Sequence, residues 1–268
     1  MTIARHRAAA RAALTMASLL ALAATTVARA DPPARKLTVA ASANLRLALE
    51  EVAGAFERRN PGVKVDVTFG ATGTLYAQIR NGAPFDLFLG ADREVAARIQ
   101  EAGLAGAPAF HYATGRLVLW IAGPIRVNPA TQGLRGLADP TIRKVAIANP
   151  AVAPYGVAAE KAMQTAGVLE AVRPKLVLGE SILQVIQFVQ SGNVQAAFVP
   201  WSMAKVPPLA ALGRHSLVPA ASYPPIEQWG VVLKGARDPE LAASFEAFLR
   251  STTGRTILER HDYLLPPG

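Results

Sequence analysis

From Leu37 onward, short apolar runs alternate with longer stretches in which apolar residues recur every three or four positions. The first kind reads as buried strand and the second as amphipathic helix. Leu37 to Ala41 predicts a strand. It is followed by a helix from Leu45 to about Arg59, with Asn44 as its N-cap and Asn60-Pro61-Gly62 as its stop. Lys64 to Phe69 alternates and predicts a strand, Gly70-Ala71-Thr72-Gly73 a turn, and Thr74 to Arg80 a short helix ended by Asn81-Gly82. Phe85 to Leu89 is a buried strand and Asp92 to Glu101 a helix. The second half repeats the rhythm. Strands are expected at Arg116–Ile121, Lys144–Ala148, Lys175–Leu178, Ala196–Val199 and Glu227–Leu233. Helices are expected at Gly156–Thr165, Ser181–Gln190, Pro239–Leu249 and Gly254–Arg260.

Such alternation predicts an α/β fold with a mainly parallel sheet. Proline-rich stretches at Pro207-Pro208 and Pro224-Pro225 interrupt it. Two α/β lobes are therefore expected. The first is built from 31–112 and completed by 223–268, and the second spans 113–222.

Residues 1–30 stand outside this rhythm. Arg5, Arg7 and Arg11 precede an apolar run from Ala12 to Ala28, which closes on Ala28-Arg29-Ala30. A charged start, an apolar centre and a small-x-small ending predict a secretory signal peptide cleaved near Ala30. Composition then changes meaning. The full 268-residue chain carries a formal charge of +9, and four of its basic residues belong to this leader, which has no acid. The remaining Lys and Arg are scattered, so nucleic acid is not an expected partner. With no cysteine, a disulfide scaffold, a zinc–thiolate site and a cysteine nucleophile are excluded.

Four strand-to-helix corners are rich in small or neutral polar residues. They are Ala41-Ser42-Ala43-Asn44, Gly70-Ala71-Thr72-Gly73-Thr74, Ala153-Pro154-Tyr155-Gly156 and Gly179-Glu180-Ser181-Ile182. Ligands of open α/β sheets bind outside the carboxyl ends of the strands, and a helix N-terminus suits an anion. Ser42, Asn44, Thr72, Thr74 and Ser181 add side-chain donors. Taken singly, each corner reads better as ordinary capping; four of them in one two-lobed chain favour a ligand. None contains Lys, Arg or His, and only Glu180 supplies a carboxylate. A site of donors alone suits an oxyanion without a proton at pH 7. Monohydrogen phosphate would leave its proton unpaired there, at a cost of about 1–3 kcal/mol. Sulfate, molybdate and tungstate remain as candidates.

The run Asn81-Gly82-Ala83-Pro84-Phe85-Asp86-Leu87-Phe88-Leu89-Gly90-Ala91-Asp92 resembles the signature of the periplasmic molybdate-binding proteins, the solute receptors of molybdate ABC transporters. Leu37 to Leu45, Thr72 to Ala77, and Asn149-Pro150 through Tyr155-Gly156 fit the same family in the same order. The resemblance implies a two-lobed periplasmic-binding-protein fold of type II, with mixed sheets, a hinge and an interlobe cleft. It also implies a ligand set of Ala43, Asn44, Thr72, Tyr155 and Ile182. Asn44 and Thr72 fall where many relatives have serine. Tyr155 and Ile182 fall where backbone N–H groups are given. Where some relatives place a tyrosine hydroxyl after the last strand of the second lobe, this chain has Pro200, and the Tyr155 hydroxyl is a candidate substitute. The further expectations are a monomer in the periplasm, an ABC permease in the inner membrane as partner, no cofactor and no direct metal ligand, the metal arriving as molybdate or tungstate.

Other readings have less support. A receptor for sulfate or thiosulfate would use the same scaffold. A secreted hydrolase would need a nucleophile and base, and the sequence shows no Gly-x-Ser-x-Gly elbow and no Walker loop. The ligand-sensing domain of a regulator would lack a leader. His111, His215 and His261 are too dispersed for a metal site, Asp92 reads as a helix cap, and Trp201 follows a strand end near the expected cleft.

Overall fold

The computed structural model describes residues 35–267; the expected leader and its cleavage point near Ala30 lie outside them. The strands are β1 (Arg35–Ser42), β2 (Val63–Gly70), β3 (Leu87–Gly90), β4 (Phe110–Gly115), β5 (Leu117–Ala122), β6 (Val145–Ala148), β7 (Leu176–Gly179), β8 (Ala196–Pro200), β9 (Gly213–Leu217) and β10 (Ile226–Val232). They form two five-stranded sheets, ordered β2-β1-β3-β10-β4 and β7-β6-β8-β5-β9. In the first, β1 pairs parallel with β2 and β3, while β10 runs antiparallel to β3 and β4. The second repeats the scheme, with β6 parallel to β7 and β8 and with β5 antiparallel to β8 and β9. The fold is α/β, and each sheet is mixed, with two parallel and two antiparallel pairings. No described helix is long and apolar enough to cross a membrane.

The chain passes from one sheet to the other at Arg116, between β4 and β5, and returns through 218–225 into β10. The boundary expected at 112 therefore falls inside β4. Near these crossings the Leu117 N–H donates to the Tyr223 hydroxyl at 3.1 Å.

The longer helices are α1 (Arg46–Arg59), α2 (Thr72–Arg80), α3 (Arg93–Glu101), α4 (Pro154–Thr165), α5 (Ile182–Gln190), α6 (Pro239–Arg250) and α7 (Thr252–Arg260). Apolar faces of α1, α6 and α7 pack on the first sheet, with Phe56 set edge-on to Phe245 at 5.1 Å. The C-terminal helices thus complete the sheet that opens the chain.

Two local expectations need correction. Asn44 does not cap α1: a 3-10 turn, Ala43–Leu45, precedes the helix, and the Asn44 side chain turns inward to other partners. Helix α2 starts at Thr72, not Thr74, because extended Ala71 ends the strand-side backbone two residues earlier. Asp92 caps α3, accepting from the Glu94 N–H at 2.7 Å, as its position before the helix implies.

Candidate functional site

All four small-residue corners lie at the carboxyl ends of strands: β1 before the 3-10 turn, β2 before α2, β6 before α4 and β7 before α5. Each is the start of a helical segment, where the first N–H groups have no partner within the helix. Two corners come from each sheet, and they meet. The Gly73 N–H donates to the Val152 carbonyl at 2.9 Å. The turn at Ala43–Leu45 packs on α5. Ala43, Ala71, Tyr155 and Ile182 belong to one continuous buried cluster. Ala43, Asn44, Thr72, Tyr155 and Ile182 are all at least 96% buried. All five residues implied by the resemblance are thus buried at these corners.

Around Asn44 the side chains form a directed, uncharged network. The Ala91 N–H donates to Thr72 Oγ1 at 3.2 Å, and Thr72 Oγ1 donates to Ser42 Oγ at 3.2 Å. Ser42 Oγ donates to Asn44 Oδ1 at 2.6 Å. Asn44 Nδ2 donates to Gln228 Oε1 at 2.9 Å and to the Tyr263 hydroxyl at 3.0 Å. Tyr263 donates back to the Asn44 carbonyl at 2.8 Å, and Gln228 Nε2 donates to the Ile226 carbonyl at 3.0 Å.

This arrangement ranks the donors. Both amide hydrogens of Asn44 are committed to good acceptors. Its side chain therefore has no free donor. Thr72 holds its proton in a longer bond, to an oxygen that keeps its own donor bond to Asn44. Turning that hydroxyl toward a ligand leaves no donor stranded. Gln228 and Tyr263 are the members that sequence reading missed. They lie 184 and 219 residues from Asn44 in the chain, and no local pattern announces such a contact. Thr74 and Ser181 stand at helix starts without a side-chain capping bond being made by Ser181.

The remaining groups define the surroundings. Glu180 is exposed, and Asp92, Glu94 and Arg98 line the outer mouth beside Thr72, Gly73 and Val152. A larger groove of about 580 Å³ runs along the outer edge of the first sheet. Its Arg250 is paired with Glu246 and its Arg255 donates to the Pro266 carbonyl, so it is not a convergent donor site. His111 stacks on Trp229 and His261 meets Glu51; no group of His and acids able to hold a metal occurs among the described residues. The Arg116 guanidinium and the Lys205 ammonium both approach the Trp201 ring, at 4.7 and 5.0 Å from its centre.

The Tyr155 hydroxyl is buried against Gly115, where a Cβ would come within 2.2 Å of it, and near Gln228 Nε2. It has no hydrogen-bond partner among the described residues. Burial pushes it, and the Tyr112 hydroxyl, well above the ordinary tyrosine range. Both stay neutral in the fold. Their contribution to stability is full below about pH 10, the ordinary tyrosine value, and is lost as the pH rises beyond it. Tyr155→Phe removes a buried hydroxyl without breaking a bond. It is expected to leave the unfolding free energy unchanged or to raise it by up to about 1 kcal/mol, as read by denaturant titration. A marked fall would mean that the hydroxyl is bonded in solution.

The chain matches the family described as bacterial extracellular solute-binding protein over residues 37–264. It is 36% identical over 231 residues to the molybdate-binding protein ModA of Azotobacter vinelandii, covering 86% of this chain and 90% of that protein. It is also 36% identical over 233 residues to ModA of Rhodobacter capsulatus, covering 86% and 89%. Among solved structures, the Azotobacter vinelandii periplasmic molybdate-binding protein superposes with a TM-score of 0.79 at 32% identity, covering 86% of this chain and all of that one. A sulfate-binding protein of Mycobacterium tuberculosis superposes at 0.67 with 16% identity over 85% of this chain and 86% of that one, a likeness of fold alone. On these grounds the chain belongs to the bacterial extracellular solute-binding proteins, within the periplasmic molybdate-binding family.

Proposed function

We propose that the protein captures molybdate, or tungstate, between its two lobes and delivers it to an ABC permease. The lobes are read as 31–115 with 223–268, and 116–222, the first boundary lying at the end of β4. The observation that carries this reading is that residues from four helix starts, two from each sheet (Ala43, Ala71, Tyr155 and Ile182), are buried in one apolar cluster beside the uncharged hydrogen-bonded network of Ser42, Asn44 and Thr72. Neutral dipoles aimed at a desolvated dianion bind it without introducing an opposing charge that must itself be buried. Ala43, Asn44, Tyr155 and Ile182 contribute backbone N–H groups, and Thr72 contributes its hydroxyl as well. The acceptors of this corner are the neutral oxygens of Ser42, Asn44 and Thr72, already joined to one another or to the Ala91 N–H, so no carboxylate stands there to take an anion's proton. This disfavours monohydrogen phosphate. Cavity size then separates molybdate and tungstate from sulfate, because charge and protonation are the same. Lobe closure follows from the ligand's higher affinity for the closed state. Such a receptor acts as a monomer in the periplasm, without cofactor, and is not an enzyme. The relatives named molybdate-binding proteins support this over a sulfate receptor, whose only support is the shared fold.

The test is thermal unfolding of residues 31–268 with molybdate, tungstate, sulfate or phosphate. An anion at 1,000 times its dissociation constant stabilises by about 4 kcal/mol. Stabilisation by molybdate and tungstate alone is the expected result; a shift with sulfate alone would overturn the assignment. Thr72→Val is expected to weaken molybdate binding by roughly 10- to 100-fold, the equivalent of a lost hydrogen bond to a charged group. Thr72→Ser is expected to retain it, since the hydroxyl remains. Isothermal titration separates the two, and equal affinities would remove the Thr72 hydroxyl from the donor set.

A further inference from the structure

We infer that Tyr263 is a positioning residue for the anion site, fixing the Asn44 corner from the far end of the chain; this rests on the molybdate reading above. Tyr263 is 4% exposed and contacts Asn44 twice, accepting from Nδ2 and donating to the backbone carbonyl. The two bonds clamp both the side chain and the peptide plane that follows Asn44. The second amide hydrogen is held by Gln228. With both hydrogens and the carbonyl fixed, the 3-10 turn Ala43–Leu45 has one orientation, and so do the N–H groups it turns toward the ligand.

The residues on either side of Tyr263 explain why it can act as a fixed point. Leu264 exchanges both backbone hydrogen bonds with Thr114 of β4, at 2.7 and 2.9 Å. The Asp262 carboxylate meets Lys205 of the second lobe at 2.8 Å and Arg116 at 3.4 Å, and the Arg116 guanidinium also donates to the Asp262 carbonyl. Asp262 adopts a left-handed backbone with φ of 64°, which directs its side chain and that of Tyr263 to different elements. Three consecutive residues thus tie β4, the second lobe and the Asn44 corner together. A tail that served stability alone would need the Leu264 pairing and the α7 core. It would have no need of a two-bond clamp on a residue of the ligand corner.

The experiment compares Tyr263→Phe with a control of similar destabilisation in the same tail, Ile257→Val in the α7 core. Molybdate affinity is measured by titration well below both unfolding midpoints, after wild-type binding has been established. Tyr263→Phe is expected to weaken molybdate binding about tenfold through faster dissociation, while Ile257→Val leaves affinity within twofold. Unchanged affinity in Tyr263→Phe, or an equal loss in both variants, would overturn the positioning role. Should Tyr263→Phe not fold, Gln228→Met removes the other acceptor of Asn44 Nδ2 and is expected to give the same selective loss; unchanged affinity there overturns the inference. Wild-type protein that binds none of the four anions would instead overturn the reading beneath it.

Discussion

Asp86→Ala is expected to lower the unfolding free energy by about 3–5 kcal/mol, through three donors that lose a charged acceptor at once. For a domain of this size that is a fall of roughly 10 °C or more in midpoint, measurable by calorimetry. Asp86 is 1% exposed. One carboxylate oxygen accepts from the Thr38 N–H at 2.7 Å and from the Thr38 hydroxyl at 2.6 Å. The other accepts from the Arg237 N–H at 2.7 Å. The carboxylate therefore ties β1 to the turn that follows β10, at the entry to β3. Asp86→Asn keeps one acceptor oxygen and is expected to cost less than half as much. A midpoint within 2 °C of wild type for the alanine variant would refute the role. In the proposed site the segment from Asn81 to Asp92, the most distinctive run in the sequence, thus acts on the anion at one remove. It anchors the first sheet, and its Ala91 N–H holds Thr72 in place.

Gly156→Ala is the second large effect. A Cβ at this position would lie 2.0 Å from the Ala148 carbonyl oxygen, 2.8 Å from its carbon and 2.9 Å from the Pro150 nitrogen. All three are backbone atoms at the end of β6 and the turn after it, so no side chain can rotate out of the way. Alanine would gain up to about 1 kcal/mol of helix propensity. Overpacking against immobile backbone costs about 3 kcal/mol, the upper part of the usual range, and decides the sign. Relief requires α4 to shift away from β6. The first turn of α4 carries the Tyr155 N–H, so molybdate affinity is expected to fall at least about tenfold in protein that is still folded. Destabilisation with intact affinity would mean that the start of α4 does not hold the anion.

The order of strands and helices was legible from the sequence because each element satisfies a local rule. Leu37–Ala41 and Ala196–Val199 are short apolar runs of the length and composition of strands buried on both faces, and the helices announce themselves by period and by stops such as Asn81-Gly82. The α/β class and the four candidate corners follow from those rules. Strands β4 and β9 escaped because they lack such a run. Gly213–Leu217 reads Gly-Arg-His-Ser-Leu with no buried residue, and it is an edge strand held by backbone pairing to β5. Phe110–Gly115 carries His, Thr and Gly, and its pairing to β10 comes from more than a hundred residues away.

The sequence by itself determined which residue types stand at the corners: mostly small, neutral apart from Glu180, and without a cation. Those are properties of the residues and of their place at helix starts, and they need no partner to be read. Only the tertiary structure decided what each donor is free to do. Asn44 reads as a cap and as a side-chain donor, yet its amide is held by Gln228 and Tyr263. The Tyr155 hydroxyl reads as a candidate donor, yet it lies against Gly115 beside the crossing between sheets. A side chain's hydrogen-bonding capacity is local, but its availability depends on which acceptors the fold brings within 3 Å, and here those come from the opposite end of the chain.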